Sequence, residues 1–452
     1  MGKIGVYICN FNKKDYLRKN LESLYRQTII GDLEIHVIDN ASTDGAQDMV
    51  RNEFPEVELI VNEHNEGGAG GFYKAQKLGK EKCYEYILLL DNDIVLAENA
   101  IEELYKFLLA NEDVGMVGAI TFLMDEPNKI WVYGNTLDFE NYRIIDGFSG
   151  KTENDNLPEV VYCDTVPACC SLVRASCLEK VGYMPKDNFI SWDDIEWCWR
   201  FRINNYKIAA ISKAKVWHKT AGRVLTNHFS TYYYNRNRIN FFAHYIEKKD
   251  VERFIDIMLA DFFKRIYGLT QKKQKNCVST IMYAFDDFLN GVRGKADEYK
   301  IKQYDEPWEP FADVKNTEIE LICDCTKYQN CMDTIANAIY NLKILLGSNT
   351  EIKIDFRGDK NNISAFKRLY KQKFEEELKE GSSVSDCLFF YVCDHVNNIK
   401  EYNYNYYYSD EYCNLIMCED DYHYFKNYDY AFRNFKMMYK DMFMHVMERM
   451  NN

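Results

Sequence analysis

No stretch of this 452-residue sequence comes close to the roughly 18 uninterrupted apolar residues that mark a membrane-spanning helix, so a transmembrane helix is excluded. A surplus of positive charge is missing as well. Lys and Arg number 56 against 70 Asp and Glu, for a formal net charge of -14. Without a dominant basic surface to displace phosphate counterions, non-specific nucleic-acid binding is excluded too. The opening MGKIGVYICNFN lacks the basic start, apolar stretch and small-residue cleavage site of a signal peptide. MGKIGV has no Ser or Thr at its sixth position, which removes the myristoylation pattern. The 15 cysteines include no two spaced ligand pairs of a structural zinc site. CDCTKYQNC (Cys323, Cys325, Cys331) and the thiols within VPACCSLV and SDCLFFYVC read as buried or free cysteines. These absences predict a cytosolic chain whose membrane contact, if any, is peripheral at the inner face. Repeats of solenoid period are absent, and the one low-complexity tract is EYNYNYYYSDEY.

What is present is core-forming material: 47% of residues are hydrophobic and 28% charged, enough for two or three domains. IGVYICNF, LEIHVIDN, VELIVN and YILLLDND read as strands, separated by amphipathic helices near DYLRKNLESLYRQ, GAQDMVRNEF and GGFYKAQKLGKEK. That rhythm predicts a parallel sheet covered by helices on both faces, with ligands beyond the carboxyl ends of its strands. Mixed strand and loop patterns continue to the strand IAAISKAKVW and His218. Residues 226–310 read as a helical extension ending in the Pro-containing linker QYDEPWEPFADVKN. From 311 to 452 the strand–helix rhythm restarts (IELICDC, MDTIANAIYNLKIL, EIKIDF, ISAFKRLYKQKFEEEL, CLFFYVCD, CNLIMCEDD, then a terminal helix) and predicts a second, smaller α/β domain. CNLIMCEDD is read as its last strand.

Several strand ends carry polar residues that suit chemistry. ILLLDNDIV releases Asp91, Asn92 and Asp93 where such a sheet binds ligands, and two carboxylates there suit Mg2+ or Mn2+ bridging to a diphosphate. Taken alone, the triplet is also a solvated turn. NEGGAGGF places Gly67, Gly68, Gly70 and Gly71 between a strand and a helix, where backbone N–H groups favour phosphate. It has neither the Walker nor the dinucleotide spacing, and a flexible turn is the competing reading. In VIDNASTDG, Asp39 ends a strand while Asp44 reads as a helix cap. His218 follows a strand in KVWHKTAG. WDDIEWCWR wedges Asp193 and Asp194 between large rings, so that burial and each other's charge should raise their pKa values. The competing reading is a capped helix start.

In this order the motifs VIDNASTDG, NEGGAGGF, LLLDNDI, WVYGNTLD, FISWDDIEWCWR, VWHKTAG, YYYNRNRI and FDDFLNG resemble the family two inverting glycosyltransferases, above all bacterial galactofuranosyltransferases and rhamnosyltransferases, over roughly residues 1–300. The resemblance implies a GT-A catalytic domain at 1–225. It implies transfer of a sugar, galactofuranose from a uridine diphosphate donor in the first instance, to a growing cell-surface polysaccharide or lipid-linked glycan, with Mn2+ or Mg2+ as cofactor. Asp194 would be the base and Asp193 its orienting partner. Phe11, Asp39, Asn65, Gly67, Gly68, Asp91, Asn92 and Arg236 would meet the donor, and Trp192, Asp193 and Trp197 the acceptor. Asp91, Asp93 and His218 would hold the metal. A rhamnosyltransferase using a deoxythymidine diphosphate donor, or a silent nucleotide-sugar-binding scaffold, are the alternatives. Two departures stand out: Asn92 in the middle of the acidic triplet, and small residues in VPACCSLVR where the galactofuranosyltransferases would have bulky aromatics. The basic stretch Arg236–Lys275 reads either as a seat on an anionic membrane or as a solvated helix face, with Arg236 and Arg238 able to reach a pyrophosphate. Residues beyond 310 match no motif, which leaves dimerisation, acceptor binding or a second activity open for them.

Overall fold

The computed structural model describes residues 3–153, 155–219, 228–311, 319–324, 332–346, 352–374, 376–381, 388–392, 406–407 and 414–450. Strand and helix alternate as the apolar period alternates: β1 (Ile4–Asn10), α1 (Lys14–Tyr25), β2 (Leu33–Asp39), α2 (Ala46–Glu53), β3 (Glu58–Val61), α3 (Gly67–Glu81) and β4 (Tyr86–Asp91). Val6 and Ile8 face one layer, where α1 contributes Leu17, Leu21 and Leu24. Tyr7 and Leu89 face the other, with Phe72 and Ala75 of α3. Burial on both faces is why these strands are apolar almost throughout. The chain continues through β5 (Ile94–Leu96), α4 (Ala100–Ala110), β6 (Val114–Leu123), β7 (Ile130–Val132), β8 (Asn135–Asp138), β9 (Arg143–Asp146), β10 (Val160–Cys163), β11 (Cys170–Arg174), α5 (Leu178–Val181), α6 (Asp193–Ile203) and β12 (Lys207–His218). Helices α7 (His228–Tyr245), α8 (Val251–Gln271) and α9 (Lys275–Leu289) follow.

One ten-stranded mixed sheet runs β10-β12-β6-β11-β4-β1-β2-β3, with β5 added to β12 and β7 to β6. Within it β4, β1, β2 and β3 are parallel, whereas β11 lies antiparallel between β4 and β6. From β1 the chain moves outward through β2 and β3, then returns to the other side of β1 as β4, so the topological switch lies between β1 and β4. Register brings the ends of these strands level, Asn10 beside Asp39 and Cys9 beside Asp91. The result is the predicted Rossmann-type α/β sheet.

Two compact units result: Met1–Val251 with Thr280–Lys302 and Arg449–Asn452, and Glu252–Ser279 with Gln303–Glu448. Helix α7 falls in the first and most of α8 in the second, while the expected boundary at 225 lies outside the described residues. In the second unit β13 (Ile319–Asp324), α10 (Met332–Leu346), β14 (Ile352–Arg357), α11 (Lys360–Phe374), β15 (Leu388–Val392) and β16 (Tyr406–Tyr407) build a parallel sheet of order β14-β13-β15-β16. Its core includes Leu321, Ile335, Ile339, Ile354, Phe366 and Tyr370. The strand expected at CNLIMCEDD is not formed. Leu415 and Ile416 are buried with only a one-residue bridge, and α12 (Glu419–Lys426) starts directly after, followed by α13 (Tyr428–Met450). Cys323 is buried, and Cys325 and Cys331 lie outside the described residues. Among the described residues no helix is long and apolar enough to cross a membrane.

Candidate active site

Strand β4 ends at Asp91, and β12 pairs with β5 so that His218 sits opposite Ile94. That pairing closes a gap of 125 residues: His218 Nε2 is 3.0 Å from Asp93 Oδ1 and 3.6 Å from Asp91 Oδ2. One ligand atom from each of the three lies within 4.8 Å of the others. Two carboxylate oxygens and one imidazole nitrogen form a donor set that fits Mn2+ or Mg2+. The other ring nitrogen, Nδ1, is buried with no protein partner, and Trp131 packs on the ring at 4.6 Å. Lys13, just beyond β1, pairs with Asp93 Oδ2. Burial alone would raise Asp93, but His218 and Lys13 bring it below the usual carboxylate range. Burial lifts Asp91 to about 6, with His218 and Lys13 opposing and Asp93 and Asp194 adding.

Beside this trio the ends of β1 and β2 are tied into one polar network. Asn10 Nδ2 donates to Asp39 Oδ1 at 2.8 Å, Asn92 Nδ2 donates to Asn10 Oδ1 at 2.8 Å, and the other Asp39 oxygen accepts from Ser42 N–H and Gln47 Nε2, both at 2.8 Å. Asp39 and Asn92 are both buried. Asp44 accepts from Lys14 N–H and from Ala46 N–H, capping two helix starts at once. Phe11 stands 42% exposed at the same edge. Asn65 Oδ1 accepts from Gly67 N–H at 2.8 Å. Two of the glycines have a specific reason to be glycine. Gly67 has φ +74°, and a Cβ there would lie 2.0 Å from Phe189 O; at Gly71 a Cβ would lie 1.9 Å from Cys9 Sγ. Helix α3 therefore rests directly on β1. Gly71→Ala is expected to cost about 1–3 kcal/mol of stability through overpacking, seen as a lower urea midpoint; an unchanged midpoint would mean that this close packing does not matter.

The acid pair opens α6. The chain reaches it through Phe189, Ser191 and Trp192, all at φ +63° to +64°, a left-handed run that costs energy in non-glycine residues. Asn237 of α7 holds that run in place. Its side-chain amide donates to Asn188 O at 2.9 Å, Ile190 O at 3.0 Å and Ser191 O at 2.9 Å. Asp194 Oδ1 accepts from Ile195 N–H at 2.8 Å and Oδ2 from Ala168 N–H at 3.2 Å. Ala168 belongs to the small-residue stretch VPACCSLVR, and its backbone N–H is what reaches Asp194. Asp193 is 7% exposed. Burial raises it well above the usual carboxylate range, with Asp194 and Asp91 adding. Burial raises Asp194 as well, against the backbone N–H groups of Ala168 and Ile195. The helix start thus brings together two buried carboxyl groups whose charged forms burial disfavours.

Three predicted contacts are corrected. Trp192 and Trp197 are each 1% exposed. Trp192 packs against Tyr234, Phe241 and Phe242, while Trp197 donates to Gly182 O and stacks edge-on to Phe201. Both are core residues, and neither offers a face to an acceptor. Arg236 is 0% exposed and donates to Gly294 O at 2.9 Å and Asn188 O at 3.3 Å, so it is a strut under the acid-pair loop rather than a pyrophosphate contact. Arg238 is likewise engaged with Tyr142 O. Four contributors escaped the sequence reading: Lys13, Asn10, Asn188 and Asn237. Asn10 and Lys13 stood in ICNFNKK at the end of β1, where the polar run was the available signal.

Residues 5–182 match the family model described as glycosyl transferase family 2. An uncharacterized glycosyltransferase of Methanocaldococcus jannaschii is 25% identical over 131 residues, 28% of this chain and 44% of that protein. The low-salt glycan biosynthesis hexosyltransferase of Haloferax volcanii is 24% identical over 211 residues, 45% of this chain and 63% of that one. The chain thus spans less than two thirds of the length of these relatives. A solved structure of GalNAc-T7 with UDP, GalNAc and Mn2+ is 12% identical, covering 56% of this chain and 49% of that chain at a TM-score of 0.43. The match over residues 5–182 takes in the parallel strands β1–β4 of a GT-A-like sheet.

Proposed function

We propose that the family 2 domain of this chain is catalytically active: a metal-dependent, inverting transfer of a sugar from a nucleoside diphosphate to a hydroxyl of a glycan or lipid-linked saccharide. One observation carries the reading. Asp91, Asp93 and His218 converge at the β1/β4 switch point, and the carboxylates of Asp193 and Asp194 are close enough to Asp91 for their charges to be felt there. A divalent cation held by the trio would supply positive charge to the departing diphosphate. Asp39, Asn10 and Asn92 give the donor pocket a rigid polar floor. Asp193, expected to keep its proton, orients the acceptor hydroxyl. Asp194, whose two carboxylate oxygens each accept from a backbone N–H group, takes the proton from that hydroxyl as its oxygen attacks the anomeric carbon and the bond to the diphosphate breaks. Inversion follows from that single displacement.

For the sugar, the order of motifs over residues 1–300 supports galactofuranose on uridine diphosphate, with rhamnose on deoxythymidine diphosphate as the rival. The name of the Haloferax volcanii relative supports hexosyl transfer in general. Nucleotide diphosphate release from UDP-galactofuranose, UDP-galactopyranose, UDP-glucose and dTDP-rhamnose, each with Mn2+ and with EDTA in the presence of a mixed saccharide acceptor, separates these. Release from one donor that EDTA abolishes is expected. Release that EDTA leaves untouched would remove the metal from the mechanism, and donor binding without any release would favour the silent scaffold.

A further inference from the structure

Lys13 has no place in the chemistry above, yet it is bound to the centre of it. Its ammonium pairs with Asp93 Oδ2 while His218 holds Asp93 Oδ1, so one carboxylate is clamped by two cationic or hydrogen-bonding groups. Among the described residues, Asp91 and Asp93 have no ion-pair partners besides Lys13 and His218. The surroundings are strongly acidic, with Asp91, Asp193 and Asp194 all near. The two ends of the Lys13–Asp93 pair differ in freedom: the Asp93 side chain is 5% exposed, that of Lys13 43%. Asp93 is fixed, whereas Lys13 has a flexible stem with solvent to move into. Its backbone carbonyl is anchored by Leu17 N–H at the start of α1, which keeps the side chain tethered at the ligand end of β1.

We propose that Lys13 is a resident counter-cation for the Asp91/Asp93 carboxylates, displaced by the divalent ion and then free to pair with the diphosphate of the donor. This rests on the metal-and-nucleotide reading of the same site. The physical basis is competition between like charges for one carboxylate. A monovalent ammonium neutralises the buried pair while the site is unliganded, and a divalent cation bound to Asp93 must repel it. Once released, the ammonium meets the anion the metal brings, a role for which a compact point charge on a long stem is suited. The consequence is a coupling between two ligands. Lys13 should oppose binding of the metal alone and favour binding of the metal–nucleotide pair, so that the two enter together rather than in sequence.

The test is Mn2+ binding by calorimetry to the full chain, wild type against Lys13→Met and Lys13→Arg, without nucleotide and then with uridine diphosphate. Lys13→Met should bind Mn2+ alone about three- to tenfold more tightly than wild type, and uridine diphosphate in saturating Mn2+ about three- to tenfold more weakly. Lys13→Arg should stay near wild type in both. Mn2+ binding to Lys13→Met that is unchanged or weaker overturns the counter-cation role, even though wild type binds metal normally. If wild type binds neither Mn2+ nor its complex with uridine diphosphate, the metal-and-nucleotide reading itself fails and takes this proposal with it.

Discussion

Asp194→Asn is expected to lower kcat for transfer by about 10²–10⁴-fold, the usual contribution of a positioned general base, with little change in nucleotide binding. The substitution is nearly isosteric, and its remaining carbonyl oxygen can still accept from the Ile195 N–H that now holds Asp194 Oδ1. What disappears is the ability to take a proton, together with the acceptor that Ala168 N–H finds in Asp194 Oδ2. Its neighbour gives the contrasting control. Burial raises the pKa of Asp193 well above its ordinary value, with Asp194 and Asp91 adding. A carboxyl whose folded pKa exceeds its unfolded value contributes its full stability below the unfolded pKa and loses it as pH rises through the folded one. At neutral pH Asp193 therefore costs stability. Asp193→Asn should raise the unfolding free energy at pH 7, and the gain should vanish below about pH 4. It should also depress transfer. A pair that served only to favour the start of α6 through its charge would behave in the opposite way: the Asn variants would lose up to about 1 kcal/mol of stability and keep their turnover. Urea denaturation at the two pH values, set beside kcat, separates a functional pair from a cap.

Asp93→Ala should be as damaging by a different route. Asp93 is buried between His218 and Lys13, so its loss removes one of three ligand groups and leaves His218 and Lys13 without their shared partner. Loss of several kcal/mol of charge stabilisation at the leaving group corresponds to about a 10³-fold fall in kcat/KM. Mn2+ affinity should fall in the same variant, and added Mn2+ should restore only part of the activity. Full activity in Asp93→Ala would remove this residue from the metal site. Unfolding of the variant is a separate outcome that circular dichroism identifies, and Asp93→Asn, which keeps the volume, then carries the comparison.

The strand ends were legible because parallel strands in register must present their last residues together. Asp39 and Asp91 could be placed at one edge from YILLLDND and LEIHVIDN alone, and the register of Asn10 with Asp39 agrees. His218 was legible only through its company, since nothing local shows that β12 will pair with β5 across 125 residues. Trp192 and Trp197 were misread for an instructive reason. Rings beside carboxylates suggest a sugar platform, but both rings are packed into the core, and the chain enters α6 through positive φ at Phe189, Ser191 and Trp192, with no glycine in FISW to announce that turn. Arg236 failed in the same way: a guanidinium in an aromatic stretch looks free until the carbonyls of Asn188 and Gly294 are brought to it. Lys13 was overlooked because exposed lysines are common, and its significance lies in a partner 80 residues away.

The most direct measurement is a crystal structure of the full chain grown with MnCl2 and uridine diphosphate, with data collected at a wavelength where manganese scatters anomalously. An anomalous peak is expected about 2 Å from carboxylate oxygens of Asp91 and Asp93 and from His218 Nε2, with the diphosphate beside it at the ends of β1 and β4. Manganese bound elsewhere, or nucleotide seated away from those strand ends, would contradict the site on which the proposed transfer depends.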